Sequence, residues 1–294
     1  MRVFVTGASG YIASAVIPEL QQAGHEVVGL ARSEKSAAVV EALGAEVRRG
    51  DLSDLDNLRE AAAGADAVVH LAFDHASIAV GKFAEAAAAD LTVVRTFGEV
   101  LAGTGKTLIG VGATPTGDPD HDPAINANPR SVVSREIAGL TERGVRTILV
   151  AVPSVTHSSR DTTGFVPQLI RIARATGVSG YLGEGTNRWP AAHVLDIGRL
   201  YRLALDKAPA GAQLYGAAEE GIPVRHIAEA IGRRLGIDTK SIPADSAAEH
   251  FATFPFMALD LTMSSAGTRE LLNWEPSHPG LLADLEEGHY FTTG

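Results

Sequence analysis

The chain has 294 residues, with 25 Lys and Arg against 35 Asp and Glu; a formal net charge of −10 argues against a nucleic-acid partner, which usually meets a basic stripe. Hydrophobic residues at 45%, with 31 glycines, are enough for a sizeable α/β core. There are no cysteines, so disulfides and thiolate chemistry are excluded.

No window approaches the roughly 18 apolar residues of a membrane span. The opening MRVFVTGASG runs straight into a strand-like segment and a glycine turn, without the longer apolar run and cleavage site of a secretory leader. The expectation is a cytoplasmic protein with no membrane partner.

In chain order, a strand at 3–5 is followed by a helix over 11–23 that ends at Gly24. A strand at 26–31, a helix at 37–43, a third strand at 46–49 and a helix at 55–63 repeat the pattern. Next come a strand at 67–71, a long helix at 84–102, a strand at 107–111, a helix at 131–143 and a strand at 145–152. This alternation predicts a Rossmann-type α/β fold, a doubly wound parallel sheet with right-handed crossovers. After Pro153 the order is looser: a polar loop at 156–164, a helix at 165–176, a glycine- and serine-rich stretch at 177–188 and a helix at 195–205. From Gln213 onward, short strands and helices at 224–235 and 281–287 predict a smaller C-terminal α/β substrate lobe. The expected division is a dinucleotide-binding domain over 1–155, rejoined by 190–210, and a substrate lobe made of 156–189 and 211–294.

TGASGYIA, residues 6–13, lies between the first strand and the first helix. Gly7 and Gly10 let the backbone approach a pyrophosphate, and the helix start offers free N–H groups at the positive end of its dipole. The turn residues Gly7, Ser9, Gly10, Tyr11 and Ile12 are therefore the first cofactor-binding candidates. The second strand ends GLARSEK, where an NAD site would carry an acidic residue for the ribose hydroxyls. Arg32 and Ser33 stand there instead and fit a 2′-phosphate, which favours NADPH, although Glu34 is an acidic neighbour. GDLSD follows the third strand, where Asp51, with Leu52 beside it, can reach the adenine amino group. HLAF ends the fourth strand, so Leu71, Ala72 and Phe73 pass under the cofactor, while His70 is read as a packed core histidine.

Two other stretches imitate functional motifs. AGTGKT, residues 102–107, has Val100 where a phosphate loop needs its first glycine, and it follows a helix where that loop follows a strand. GDPDHD, residues 117–122, groups carboxylates with a histidine, but its proline-rich context marks an exposed loop, and no metal site is expected.

TGASGYIA, GDLSD and VVHLA, together with WPAAHVLDIGRLYRLAL (189–205) and LLNWEPS (271–277), resemble the extended and atypical short-chain dehydrogenase/reductases, including the NAD-dependent epimerase/dehydratase-type proteins. The resemblance covers essentially the whole chain, and its N-terminal motif is specific to the superfamily without fixing one reaction. It implies a nicotinamide cofactor, with Pro153, Ser154 and Val155 near the nicotinamide. It also implies a Ser or Thr after the fifth strand and a Tyr-x-x-x-Lys on the next helix. Thr114 occupies the hydroxyl position. The helix aligns as Ser131-Val-Val-Ser134-Arg135, so Ser131 replaces the tyrosine and Arg135 the lysine. None of the five tyrosines, at 11, 181, 201, 215 and 290, has a lysine four residues on.

In the family mechanism the tyrosine gives a proton to the carbonyl while the lysine lowers its pKa and holds the nicotinamide ribose. Serine is too weak an acid to replace it, and Arg135 cannot titrate near neutral pH but could hold a ribose hydroxyl or an alkoxide. General acid catalysis contributes about 10²–10⁴-fold, so an activated ketone positioned by Thr114 can still be reduced, with water delivering the proton. His157 is the alternative acid, since its ordinary pKa lies in the neutral range. His75 lies beside the cofactor as a substrate-side candidate, and Trp189 is expected to pack the cleft between the lobes. The lack of the Tyr/Lys pair resembles the atypical ketoreductases of aromatic polyketide tailoring, of the simocyclinone type, which implies antibiotic biosynthesis. The reading is an NADPH-dependent reductase, monomer or homodimer, acting on a ketone of a bulky apolar small molecule. The alternatives are a sugar-nucleotide epimerase or dehydratase and a non-catalytic NADP-sensing protein.

Overall fold

The computed structural model describes residues 1–75, 77, 81–112, 129–251, 254 and 256–292. In chain order its first half contains β1 (Arg2–Thr6), α1 (Ala13–Gln22), β2 (Glu26–Ala31), α2 (Glu34–Ala42), β3 (Glu46–Arg49), α3 (Leu55–Ala63), β4 (Ala67–His70), α4 (Phe83–Leu101), β5 (Thr107–Val111), α5 (Arg130–Gly139) and β6 (Arg146–Ala151). Then follow β7 (Val155–His157), α6 (Phe165–Thr176), β8 (Val178–Leu182), β9 (Arg188–His193), α7 (Val194–Lys207), β10 (Ala212–Tyr215) and β11 (Glu219–Pro223). The chain closes with α8 (Val224–Leu235), β12 (Asp238–Ile242), α9 (Ala244–His250), α10 (Ala266–Leu272) and α11 (Leu281–Glu286). Among the described residues, no helix is long and apolar enough to cross a membrane.

Seven strands form one parallel sheet in the order β10-β6-β5-β4-β1-β2-β3. The expected doubly wound α/β fold is what the chain adopts. Successive strand residues face opposite layers, as strand geometry requires. Val3, Val5, Val69, Ile109, Ile148 and Val150 pack under α1 and α7. Phe4, Val68, Leu108 and Leu149 pack against α3, α4 and α5 on the other face. Within the first layer α7 is drawn tight against α1 at Gly198, where a Cβ would come within 2.6 Å of the Ala15 carbonyl oxygen.

A second core gathers β7, β9, α6, α8 and α11 around Trp189, Phe254 and Leu281. Two smaller sheets serve it, β11-β9-β7 and the pair β12-β8. The expected boundary at 211 is crossed, because 212–215 is not part of this lobe: it pairs with β6 as the edge strand of the large sheet. Trp274 likewise returns to the large core, its Nε1 donating to the Asp196 carbonyl at 3.1 Å. The polar stretch after Pro153 also begins with a strand, because β7 finds a partner in β9 that local sequence does not reveal.

Histidines line the join between the two cores. His157 Nδ1 lies 2.8 Å from Asp284 Oδ2, tying β7 to α11. His278 Nδ1 lies 2.9 Å from Asp196 Oδ1, tying the segment before α11 to α7. Between them, His193 meets the His157 ring edge-on at 5.5 Å and stacks on His278 at 4.8 Å. His193 Nδ1 accepts the Leu195 N–H at 3.3 Å and caps α7, so that nitrogen carries no proton. Burial, then the neighbouring His157 and His278, push the His193 pKa down to about 4, against Asp284 and Asp196, which favour the charged form.

The sign of the pH dependence follows from that shift. An unfolded chain protonates His193 near its ordinary value of 6.5, whereas the folded chain waits until about 4. Across that window the unfolded state binds more protons, so stability falls as the pH drops from 6.5 towards 4 and the contribution levels off below it. Urea unfolding at stepped pH should show a flatter dependence over this window for His193→Asn, which keeps a capping side chain. Parallel curves for the two proteins would remove His193 as the cause.

Candidate cofactor and reaction site

The ends of β1 and β4 meet at the carboxyl edge of the sheet. The flanking connections there run to opposite faces, the position where doubly wound sheets bind ligands. Gly7 adopts φ +65°, and a Cβ on it would fall 2.7 Å from the Ala72 backbone nitrogen. Glycine is therefore required both by conformation and by space. The turn closes through Gly10 N–H donating to the Gly7 carbonyl at 2.8 Å. The helix start has no side-chain cap at Ile12 and no acidic residue in its first turn, so the positive end of its dipole faces Gly7, Ser9, Gly10 and Tyr11 without a side-chain counter-charge. That arrangement fits a pyrophosphate.

At the end of β2, Arg32 and Ser33 are both exposed. Ser33 has a further role that the sequence reading missed: its Oγ accepts the Ser36 N–H at 3.1 Å, and Ser36 Oγ in turn accepts the Ser33 N–H at 2.9 Å. This capping box starts α2 and brings a second hydroxyl next to Arg32. Glu34, the acidic neighbour, is paired with Arg49. Asp51 accepts the Ser53 N–H at 2.8 Å; that bond, the Ser53 hydroxyl and Arg32 hold its carboxyl below the usual range. Leu52, half-buried, packs at the edge of the outer core.

Leu71, Ala72 and Phe73 leave β4 directly beneath the glycine turn, and Ala72 N–H donates to Thr6 Oγ1 at 3.2 Å. The Phe73 ring meets His75 at 5.4 Å and carries the Arg130 guanidinium 4.1 Å above its centre. Burial, then Arg130, push the His75 pKa down.

Thr114 lies outside the described residues. Ser131, at 3% exposure, and Arg135 do not share an environment: Arg135 is exposed, beside Val132, Gly139 and Arg143 along an outer groove. One residue before Ser131, Arg130 opens α5 and reaches the end of β4. Arg130 and Arg135 lie five residues apart on the helix, about 500° of turn, so their side chains leave it in different directions.

On the lobe side, Pro153 and Val155 are buried and Ser154 is half-buried, its Oγ 3.5 Å from the Pro190 carbonyl. His157 is 0% exposed and engaged by Asp284, so it presents no surface to a substrate. Trp189 is 0% exposed as well; it packs inside the second core, not in a cleft, with Nε1 donating to the Leu259 carbonyl at 3.0 Å. Tyr11, Tyr201, Tyr215 and Tyr290 are all pushed up by burial first of all, the reverse of what a proton donor tuned for neutral pH needs. Tyr11 instead bridges the glycine turn to the lobe, its hydroxyl 2.9 Å from Ser158 Oγ. Asp284, Glu287 and His289 bring ligand atoms within 4.8 Å of one another, with Asp284 already bonded to His157. The carboxylates of 117–122 lie outside the described residues.

Residues 3–112 match the family model of the NAD dependent epimerase/dehydratase family. An uncharacterized protein of Schizosaccharomyces pombe is 40% identical over 99% of this chain and 100% of its own length. A 4-hydroxy-2-methyl-3-oxo-4-farnesyl-3,4-dihydroquinoline-1-oxide ketoreductase of Stigmatella aurantiaca is 29% identical over 76% of this chain and 70% of its own. Among solved structures, a dTDP-glucose 4,6-dehydratase of Streptomyces venezuelae with NAD bound superposes with a TM-score of 0.74 at 17% identity, covering 99% of this chain and 98% of that one. With a relative alike over its full length, a nucleotide-fold family match and the seven-stranded sheet in agreement, the chain belongs to the extended short-chain dehydrogenase/reductase superfamily, among the NAD-dependent epimerase/dehydratase proteins.

Proposed function

We propose that this protein is an NADPH-dependent reductase that moves hydride to a ketone carbonyl on a bulky, apolar small molecule of the secondary-metabolite kind, without a tyrosine acid. The observation that carries the reading is the closed approach of Gly7 to Ala72 beside an uncapped helix start, a cradle that a Cβ would fill. The 29% identical ketoreductase supports the reaction class. A sugar-nucleotide epimerase or dehydratase needs a base at the tyrosine position, where this chain has serine.

The nicotinamide, when bound, supplies the hydride; the chain's residues position it. In this reading the turn residues Gly7, Ser9, Gly10, Tyr11 and Ile12 hold the pyrophosphate at the start of α1. Arg32, with Ser33 and the start of α2, holds the 2′-phosphate, an arrangement suited to the planar guanidinium. Asp51 and Leu52 take the adenine side, and Leu71, Ala72, Phe73 and Pro153 to Val155 flank the nicotinamide. Thr114 orients the carbonyl, His75 lies on the substrate side, and water gives the proton, because His157 is sealed in the lobe junction. The nucleotide domain in this reading is 1–155 with 190–210 and β10; the rest of 156–294, apart from the segment around Trp274, forms the substrate lobe.

Two variants test these assignments. Arg32→Ala should weaken NADPH binding about 10- to 100-fold, the size of one or two charge-assisted hydrogen bonds, and leave NADH binding unchanged, as read by nicotinamide fluorescence. Equal loss for both cofactors would exclude Arg32 as a phosphate clamp. Thr114→Ala should lower ketone turnover by about tenfold or more, a hydrogen bond to the reacting oxygen, with NADPH affinity intact. Unchanged turnover would take Thr114 out of the mechanism.

A further inference from the structure

A line of buried polar groups runs from the glycine turn to the start of α5. Thr6 Oγ1 accepts the Ala72 N–H at 3.2 Å and lies 2.6 Å from His70 Nδ1. The other ring nitrogen, His70 Nε2, lies 2.8 Å from Asp90 Oδ1, so the imidazole bridges Thr6 and Asp90. The other carboxylate oxygen, Oδ2, faces the Arg130 guanidinium at 3.9 Å. Thr6, His70 and Asp90 are all buried, so the line crosses the sheet edge out of water.

Arg130 is the first residue of α5, at the positive end of the helix dipole, a position that local helix electrostatics does not favour for a cation. Its guanidinium is partly withdrawn from water, facing the Asp90 carboxylate at 3.9 Å and lying over a ring face. That ring is Phe73, one residue from the Gly7–Ala72 contact, where the proposed reductase brings nicotinamide and ketone together.

We infer that Arg130 is the cation that receives the negative charge developing on the substrate oxygen, and that Asp90 and His70 are positioning residues that aim it. This rests on the reductase reading. As the carbonyl carbon accepts hydride from the reduced nicotinamide, a C–H bond forms and the C=O π pair moves to oxygen. The cofactor is oxidised, the ketone is reduced, and the alkoxide held against Arg130 takes its proton from water. An electrostatic stabiliser that never titrates thus serves where relatives use an acid.

The test separates the cation from turnover. 2-Naphthol, an apolar alcohol whose ionised form has its own absorption band, is titrated in the presence of NADP+ against wild type, Arg130→Gln, Arg130→Lys and, as a control, Arg95→Gln, which removes an exposed arginine of α4 paired with Glu136. Wild type, Arg130→Lys and Arg95→Gln should displace the ionisation of bound naphthol to lower pH, and Arg130→Gln should not. In parallel, Arg130→Gln should lower kcat on any reduced ketone on the order of 10²-fold, with NADPH affinity unchanged. Asp90→Asn should cost less, and Arg130→Gln/Asp90→Asn should be no slower than Arg130→Gln alone, because a positioning group has nothing left to position. Equal naphthol ionisation in wild type and Arg130→Gln, or additive losses in the double variant, would overturn the inference. Failure of the reductase reading shows separately, as wild type that binds NADPH yet consumes it with no ketone.

Discussion

The backbone contact between Gly7 and Ala72 is the constraint on which the rest of the site depends. It lets the ends of β1 and β4 close on each other and brings the uncapped start of α1 over the sheet edge. It also puts Thr6 within reach of both Ala72 and His70, so the glycine turn and the buried polar line share one anchor. A side chain at residue 7 would push the two strand ends apart and misplace every group that follows. The parallel order of the large sheet makes that closure possible, because the connections that leave β1 and β4 run to opposite faces.

The lobe junction is a second layer of organisation. His157, His193 and His278, with Asp196 and Asp284, join β7, β9 and α7 to the C-terminal helix. Tyr11 extends the join to the glycine turn through Ser158, and Ser158 N–H donates to the Tyr290 hydroxyl at 3.1 Å. Dinucleotide turn and substrate lobe are thereby linked through hydroxyl groups, with no ion pair in that particular path.

The sheet and its helices were legible because each is a local pattern: short, near-continuous apolar runs at 3–5, 67–70 and 107–111, and 3.6-residue periodicity in the helices between them. The glycine turn was equally legible, since φ > 0 and close approach are written as glycine itself. What sequence could not supply was partnership at long range. β10 reads as an isolated short strand until β6 takes it as an edge, and Trp189 reads as a cleft residue until Phe165 and Phe254 enclose it. His157 looks like a free loop histidine because its partner, Asp284, lies 127 residues away. The arginine of the reaction edge was missed through register: Arg130 and Arg135 are equally plausible as text, and only the direction of the helix face separates them.

The central claim is hydride transfer at this sheet edge without a tyrosine acid. Its most direct test is turnover of NADPH carrying deuterium at both hydrogens of the nicotinamide C4, with a panel of bulky apolar ketones and mass spectrometry of the alcohol. The account predicts one deuterium on the carbinol carbon of at least one product. Bound NADPH that transfers deuterium to no ketone would contradict it.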